Sequence, residues 1–216
     1  MKGESKMGRP SNKEERREQI AEALMRVMAT AGYDGASVAT VAREAGLTPG
    51  LVHYHFQSKL QILLHMLHQI GEAHRSRLAS ALDVVGEDPR ARFEAYIDAH
   101  LAVGATADPN AMATWVMLGG EALRNEEVCA AYGRALQQNA STLRQIIDAG
   151  VARGAFTCPD PAGATAAFVA LIQGYFEVAA TARSLIPRGS AASAARLAAV
   201  GLLGIRPEES TGVEGP

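Results

Sequence analysis

The sequence predicts an all-α fold. Apolar residues recur at helical spacing through most of the 216 residues. A capping aspartate followed by a proline, which suits the first turn of a helix, occurs at Asp88-Pro89, Asp108-Pro109 and Asp160-Pro161. No segment shows the alternating pattern with flanking turns that a strand requires. These observations favour three short-to-medium helices at the N-terminus, followed by a larger body of long helices.

The first helix is predicted to open at a capping box of Ser11 and Glu14 and to end at Gly32. Ser37 caps a short helix over residues 38–45, which Gly46 closes. A second capping box over residues 58–61 opens a long helix that runs to residue 85. Later helices are predicted near residues 89–105, 109–124, 126–153, 161–185 and 190–203.

Composition and charge are those of an ordinary globular protein, with 48% hydrophobic residues, 20% charged residues and a net charge of -2. Residues 1–17 carry six Lys/Arg against three Glu, which favours a polyanion partner at this end, although a solvated charged arm has the same composition. No apolar run approaches the roughly 20 residues of a membrane span, and no secretory signal is evident. Two cysteines are too few for a disulfide framework, so we expect a cytoplasmic protein without a membrane partner.

Residues 37–56 have the pattern of a helix-turn-helix. Small apolar residues line one face of the first helix, and Gly46 permits the left-handed conformation that the turn needs. Thr48 caps the second helix and Pro49 occupies its first position. We expect Leu51, Val52 and Phe56 to face inward and His53, Tyr54 and His55 to lie nearer the outside.

An ordinary helical hairpin would show much of the same pattern. Two features favour a DNA-binding site over that alternative. No acidic residue occurs between Ala45 and Ile70, as a phosphate-facing surface requires. Lys59 lies in the first turn of the next helix, where a cation opposes the helix dipole, so a nearby phosphate is the better explanation for it.

Residues 13–63 resemble the DNA-binding domain of the TetR family of regulators. The matching residues are Ala31-Gly32-Tyr33, then Ser37, Val38, Val41, Ala42, Ala45, Gly46, Leu47, Thr48 and Gly50, then Tyr54-His55-Phe56, Ser58, Lys59 and Leu63. The resemblance implies an all-α homodimer that binds a palindromic operator in double-stranded DNA. It also implies a divergent C-terminal domain for a small-molecule effector and for dimerisation.

The resemblance further implies nine DNA contacts. Ser37, Thr40 and Arg43 would approach the backbone or groove edge, Thr48, Pro49, Gly50, His53 and Tyr54 would face bases and phosphates, and Lys59 would contact a phosphate. His53 departs from the family, which usually has an aromatic residue there, and an imidazole contact is sensitive to pH near neutrality.

Gly8-Arg9-Pro10 either lies in a minor groove or belongs to a disordered tail.

Four segments are predicted on this basis: a flexible basic arm over 1–12, the DNA-binding domain over 13–57, an effector-binding and dimerisation domain over 58–205, and a polar tail over 206–216. Residues 112–123 and 132–156 resemble, more weakly, the BetI-type subgroup, whose type member responds to choline. The resemblance implies that helices 126–153 and 161–185 form the dimer contact.

Effector contacts are sought among Met, His and aromatic side chains, because these can line an adaptable pocket, although each is individually more typical of plain core. The candidates are His65, Met66, Tyr96, His100, Met112, Trp115 and Met117, of which Trp115 is the favoured one. His65 and His68 have a metal-compatible spacing but no third ligand nearby in sequence, so no metal or other cofactor is expected.

A ligand-responsive repressor is the function that these features favour. The alternative is an activator or an effector-independent regulator with the same DNA-binding helices, which sequence cannot separate from repression. An all-α enzyme is disfavoured, because no nucleophile–base pair, Walker sequence or zinc-protease motif is present and no catalytic residue can be named.

Overall fold

The computed structural model describes residues 12–101, 109–182, 184–187 and 189–205, with the side chains of 109–111 excepted. Residues 1–11 of the basic arm, which include the Ser11 cap, lie outside these residues, as do the Asp108 cap and the polar tail. Nine α-helices and no strand occur in the described part of the chain. They are α1 (Asn12–Gly35), α2 (Val38–Glu44), α3 (Pro49–His55), α4 (Lys59–Val85), α5 (Pro89–Leu101), α6 (Pro109–Ala122), α7 (Glu126–Ala152), α8 (Pro161–Thr181) and α9 (Ser190–Leu203).

The all-α prediction is confirmed, and most helix ends fall within two residues of the predicted ones. Two helices differ. α1 has a kink at Gly32, whose φ of 68° and ψ of 174° break the helix, and one further turn follows to Gly35. α8 ends at Thr181 rather than near 185, because Ala182 leaves helical geometry at φ −133° and ψ 57°.

The chain forms two compact units, and each is built from two segments that are not consecutive in the sequence. The first contains residues 12–72 and 109–133, which brings α6 and the start of α7 together with α1, α2 and α3. The second contains the described residues within 73–101 and 134–205. Within the first unit α6 packs against α1. The division into domains over 13–57 and 58–205 stays a prediction.

Aromatic and branched side chains from α5, α7, α8 and α9 form the core of the second unit. Phe93 lies at the centre, with its ring 5.2 Å from that of Phe168 and 6.2 Å from that of Phe156, both edge to face. Such pairs add about 0.5–1.5 kcal/mol to the gain from burial. Arg196 of α9 forms ion pairs with Glu94 and Asp98, which attaches the last helix to α5.

α8 is long and apolar but only partly covered. By length and composition alone it could cross a membrane, which differs from our expectation that no run is long enough. Phe168 and Ile172 lie in the core of the second unit. Only 22% of the most apolar stretch of α8 is buried within the chain. Small residues dominate its exposed side, at Ala162, Gly163, Ala166, Ala167, Ala170 and Gly174.

Candidate nucleic-acid interface

Local hydrogen bonds define the helix-turn-helix. The Ser37 hydroxyl accepts from the Thr40 N–H at 3.1 Å, and the Thr40 hydroxyl accepts from the Ser37 N–H at 2.8 Å, which confirms the predicted cap. Thr48 caps α3 by accepting from the Leu51 N–H at 3.3 Å. Between the helices Gly46 has a φ of 66°, in the region that glycine alone adopts without strain.

The residues expected to contact DNA lie at the surface of the first unit. Four of them, at positions 49, 50, 53 and 54, share one side of α3, opposite the buried Val52 and His55. Tyr54 is 75% exposed. Ser37, Arg43 and Thr48 are also exposed, whereas Thr40 is half-buried. We call the exposed residues 48–50, 53 and 54 the recognition face.

Two neighbours on α3 are oriented differently from the prediction. His55 is 9% exposed rather than outward-facing, and Leu51 is 36% exposed rather than inward-facing. α3 has only two turns, so packing against α1 and α2 sets its orientation more than its own apolar pattern does. The carbonyl of His55 accepts a hydrogen bond from the Arg17 guanidinium at 2.8 Å, and this contact fixes the inner side of α3.

Side chains from other helices donate to the carbonyl end of each short helix in this unit. Arg17 donates to His55 at the end of α3, and its guanidinium lies 4.1 Å from the centre of the Phe56 ring. Gln19 donates to the Ala45 carbonyl at the end of α2, at 2.7 Å. Such donors satisfy carbonyls that a helix end leaves free. Sequence reasoning missed Arg17 and Gln19, because a backbone carbonyl partner leaves no trace in residue identity.

Lys59 makes a third contact in which a side chain donates to backbone carbonyls. Its ammonium group donates to the Tyr33 and Ala36 carbonyls at 2.7 and 2.8 Å, and it lies 4.0 Å from the centre of the Tyr33 ring. These partners account for a lysine in the first turn of α4 without any phosphate. The expected phosphate contact of Lys59 therefore rests on the family resemblance alone.

The Gly50→Ala substitution separates folding from DNA binding. A Cβ at position 50 would meet no atom within 4 Å, so we expect unchanged stability or a gain of up to about 1 kcal/mol from helix propensity. If DNA lies against the recognition face, the added methyl group should weaken its binding. Gly120→Ala on α6 is the matched control, because it too meets open space. Thermal unfolding and gel retardation of both variants test this; equal DNA affinity for both would contradict it.

Five effector candidates lie in the first unit, and one of them, Met117, is half-buried. Met66 is buried in its core, and Met112 is half-buried. Trp115 is 9% exposed and stacks on Tyr132, with 4.5 Å between ring centres. His65 lies 3.8 Å from Glu14 and 3.5 Å from Arg17. Burial, and then the Arg17 charge, lower the pKa of His65, while Glu14 acts in the opposite direction.

Tyr96 and His100 lie in the second unit, together with His74 of α4. His100 Nδ1 donates to the Tyr96 carbonyl at 2.8 Å, so its Nε2 is left as an acceptor. His74 Nε2 lies 2.9 Å away and must be the donor. Burial lowers the pKa of His74 to about 3 and that of His100 to about 4; for His74 the neighbouring His100 and then Arg77 add to the effect.

This histidine pair predicts a loss of stability in acid. Unfolded histidines titrate near 6.5, so between pH 6.5 and 4 the unfolded chain binds more protons than the folded one. Stability should be fully present above pH 6.5 and fall by up to about 1.4 kcal/mol per pH unit for each histidine. Denaturant unfolding from pH 7 to 4.5 measures it. His74→Gln should reduce this slope, whereas the exposed His68→Gln should not; equal slopes in all three proteins would refute the assignment.

No three metal-ligating side chains stand together among the described residues. His68 is exposed and lies 3.8 Å from Glu72, whereas the His65 ring packs 5.4 Å from that of Phe56. The two histidines thus have separate surroundings.

Comparison with known proteins supports the interpretation of these helices. The sequence model of bacterial regulatory proteins of the TetR family matches residues 20–66. The model of the BetI-type transcriptional repressor C-terminal domain matches residues 89–204, which is more than half of the chain. The chain belongs to the TetR family. Both matching models describe transcriptional regulators rather than enzymes.

Individual TetR-family relatives agree with this assignment. BetI of Rhizobium meliloti (strain 1021), an HTH-type transcriptional regulator, is 31% identical over 127 residues, which are 57% of this chain and 62% of that protein. The match thus spans less than two thirds of that relative's length. A TetR transcription regulator from Haloarcula marismortui has the same fold at 24% identity, with a TM-score of 0.76 over 88% of this chain and 99% of that one.

A third relative is a protein described as a transcriptional regulator from Saccharomonospora viridis, whose crystal structure is a complex with choline. It has the same fold, with a TM-score of 0.74 and 24% identity over 87% of this chain and 96% of that one.

Proposed function

We propose that the chain is a ligand-responsive repressor that binds a palindromic operator as a homodimer in the cytoplasm. The recognition face carries this proposal. It combines the exposed N-terminal turn of α3 with an exposed aromatic ring at Tyr54, and no acidic side chain lies between positions 45 and 70. A helix of this kind enters the major groove by its N-terminal residues. Ser37, Thr40 and Arg43 would contact the flanking phosphates.

Selection of duplexes from a random pool tests the DNA-binding part of the proposal. The purified chain should enrich an inverted repeat with half-sites about 34–36 Å apart, or a multiple of this, because a two-fold symmetric dimer presents two equivalent helices. The double variant Tyr54→Ala, Arg43→Ala serves as the control and should enrich no sequence. Enrichment of the same repeat by both proteins, or of nothing by the unmodified chain, would count against the proposal.

The exposed side of α8 supports the homodimer. Its small residues allow close approach of a second helix, and apolar surface of this extent on a regulator is best explained by a partner copy. α7 would complete the contact, as the family resemblance implies.

Choline is the effector that we would test first, because the Saccharomonospora viridis protein binds it and the C-terminal domain is BetI-type. Trp115 and Tyr132 offer aromatic faces of the kind that attract quaternary ammonium groups. Trp115 is the single tryptophan of the chain, so its fluorescence reports on this region alone. Choline should change this fluorescence and release the operator. Sodium chloride and tetramethylammonium chloride serve as controls. If choline changes neither the fluorescence nor operator binding, and these two salts are equally inert, another effector class must be sought.

An activator with the same recognition face is the alternative. The position of the operator separates the two roles, because a repressor site overlaps the promoter whereas an activator site lies upstream of it. Deletion of the gene should therefore raise expression from the adjoining promoter, and lowered expression would favour activation.

A further inference from the structure

Arg17 of α1 contacts both α3 and α4 within the first unit. One terminal nitrogen of its guanidinium donates to the His55 carbonyl at the end of α3, at 2.8 Å. The other terminal nitrogen lies 3.5 Å from Nδ1 of His65 on α4. The central carbon of the group lies 4.1 Å from the centre of the Phe56 ring. The guanidinium that donates to the end of α3 is therefore also oriented by a histidine of α4.

The Arg17 contact fixes the tautomer of His65. A guanidinium has N–H donors and no acceptor, so Nδ1 of His65 must be the acceptor. The ring is then neutral and carries its proton on Nε2. That nitrogen is buried without a hydrogen-bond partner among the described residues, 3.8 Å from the Glu14 carboxylate. A second proton could enter only at Nδ1, where it would meet the Arg17 cation, so protonation of His65 and its contact with Arg17 are incompatible.

The groups around His65 favour this neutral form. His65 faces Arg17 and Glu14 of α1 and His68 of its own helix. From the end of α3 it faces the uncharged Phe56 ring, with 5.4 Å between ring centres. Burial, then the Arg17 charge and, least, His68 lower the pKa of His65 below 6.5, whereas Glu14 acts in the opposite direction. The ring is therefore neutral at pH 7 and takes up a proton only in acid.

The Arg17–His55 hydrogen bond bears on the orientation of α3. The His55 carbonyl is among those that the end of this helix leaves without an intrahelical partner, and a cation there also matches the helix dipole. α3 has only seven residues, and its opposite side carries the recognition face. Loss of the charged donor would free the inner side of this short helix and change the direction in which the recognition face points.

We propose that His65 is a positioning residue for the recognition face: its neutral ring orients Arg17 toward the His55 carbonyl, and protonation of the ring displaces Arg17 and weakens operator binding. This inference rests on the proposed DNA-binding function. The direction of the effect is diagnostic, because a histidine that merely adds positive charge near DNA strengthens binding in acid.

The pH dependence of operator affinity tests the proposal. His65→Gln keeps an oxygen that can accept from Arg17 but has no titratable group. His68→Gln, at an exposed position of the same helix, is the matched control. Affinity of each protein for the selected duplex is measured from pH 7.5 to 5, with the active fraction titrated at each pH. His53 and His55 are present in every protein, so their own titration cancels in a ratio of two affinities.

The affinity of His65→Gln divided by that of the unmodified chain should rise by about threefold or more between pH 7.5 and 5. The reason is that a group that must lose a proton on binding opposes it by up to about tenfold per pH unit below its pKa. The same ratio for His68→Gln should stay constant. A merely structural role of His65 would alter the active fraction and the unfolding temperature but would not make the ratio depend on pH.

Arg17→Met tests whether His65 acts on α3 by way of Arg17. This variant should bind about tenfold more weakly at pH 7.5, because the His55 carbonyl loses a charged donor. Adding His65→Gln to it should leave its pH dependence unchanged, since no guanidinium remains for the ring to orient.

The proposal is overturned if the ratio for His65→Gln rises by less than about threefold or falls toward acid. It is also overturned if His65→Gln alters the pH dependence of the Arg17→Met protein as much as that of the unmodified chain. Absence of any selected duplex for the unmodified chain at pH 7.5 would instead refute the DNA-binding function, so the two failures are distinguishable.

Discussion

The Ala170→Arg variant is expected to be monomeric and to lose at least about 100-fold in affinity for the selected duplex. Ala170 is exposed on the small-residue side of α8, so an arginine there leaves the fold of one chain intact but places a charge at the proposed dimer contact. A monomer binds each half-site separately and forfeits the gain from simultaneous engagement, which commonly amounts to a factor of 100–10,000.

Sedimentation and gel retardation at matched concentrations measure this effect. Val84→Arg on α4 is the matched control, because Val84 is 86% exposed and lies outside α7 and α8. It should remain dimeric and bind DNA normally. A dimeric Ala170→Arg protein with full affinity would show that this side of α8 is not the contact.

Tyr54→Ala is expected to weaken operator binding by about 30-fold or more without changing stability. A groove contact contributes about 1–3 kcal/mol, a dimer makes it twice, and every 1.4 kcal/mol is a factor of ten. The ring is 75% exposed and its described contact is an edge-to-face approach to His55, so little folding energy depends on it.

Leu123→Ala is the control for this variant, because it removes another exposed large side chain from the same unit. Tyr54→Phe then separates the hydroxyl group from the ring. Binding of Tyr54→Ala within threefold of the unmodified chain would place the DNA contact elsewhere.

Local signals in the sequence were sufficient for the helices and the turn. The Ser37 and Thr48 caps and the positive φ of Gly46 each depend on residues within four positions, so their sequence pattern carries the structure. The family resemblance added the function and the contact set, which periodicity alone could not supply.

Tertiary contacts account for what the sequence did not predict. The inward side of α3 depends on the Arg17–His55 contact across 38 residues, and the apolar pattern of two turns is too short to indicate it. The hydrogen bonds from Lys59 to the Tyr33 and Ala36 carbonyls span 26 and 23 residues, so no local pattern indicates them, and its phosphate contact stays a prediction. The grouping of α6 with α1 likewise depends on packing that no local pattern encodes.

The central claim is that the exposed side of α3 lies in the DNA groove, and a tethered cleavage reagent tests it most directly. In the double variant His53→Cys, Cys129→Ser, the cysteine at position 53 is the exposed thiol, because Cys158 is buried. An iron chelate attached at position 53 should cleave the selected duplex at two clusters of positions, one in each half-site. The same reagent on Cys129 of the unmodified chain should leave the half-sites uncut. Cleavage from Cys129 but none from position 53, with both proteins fully bound, would contradict the claim.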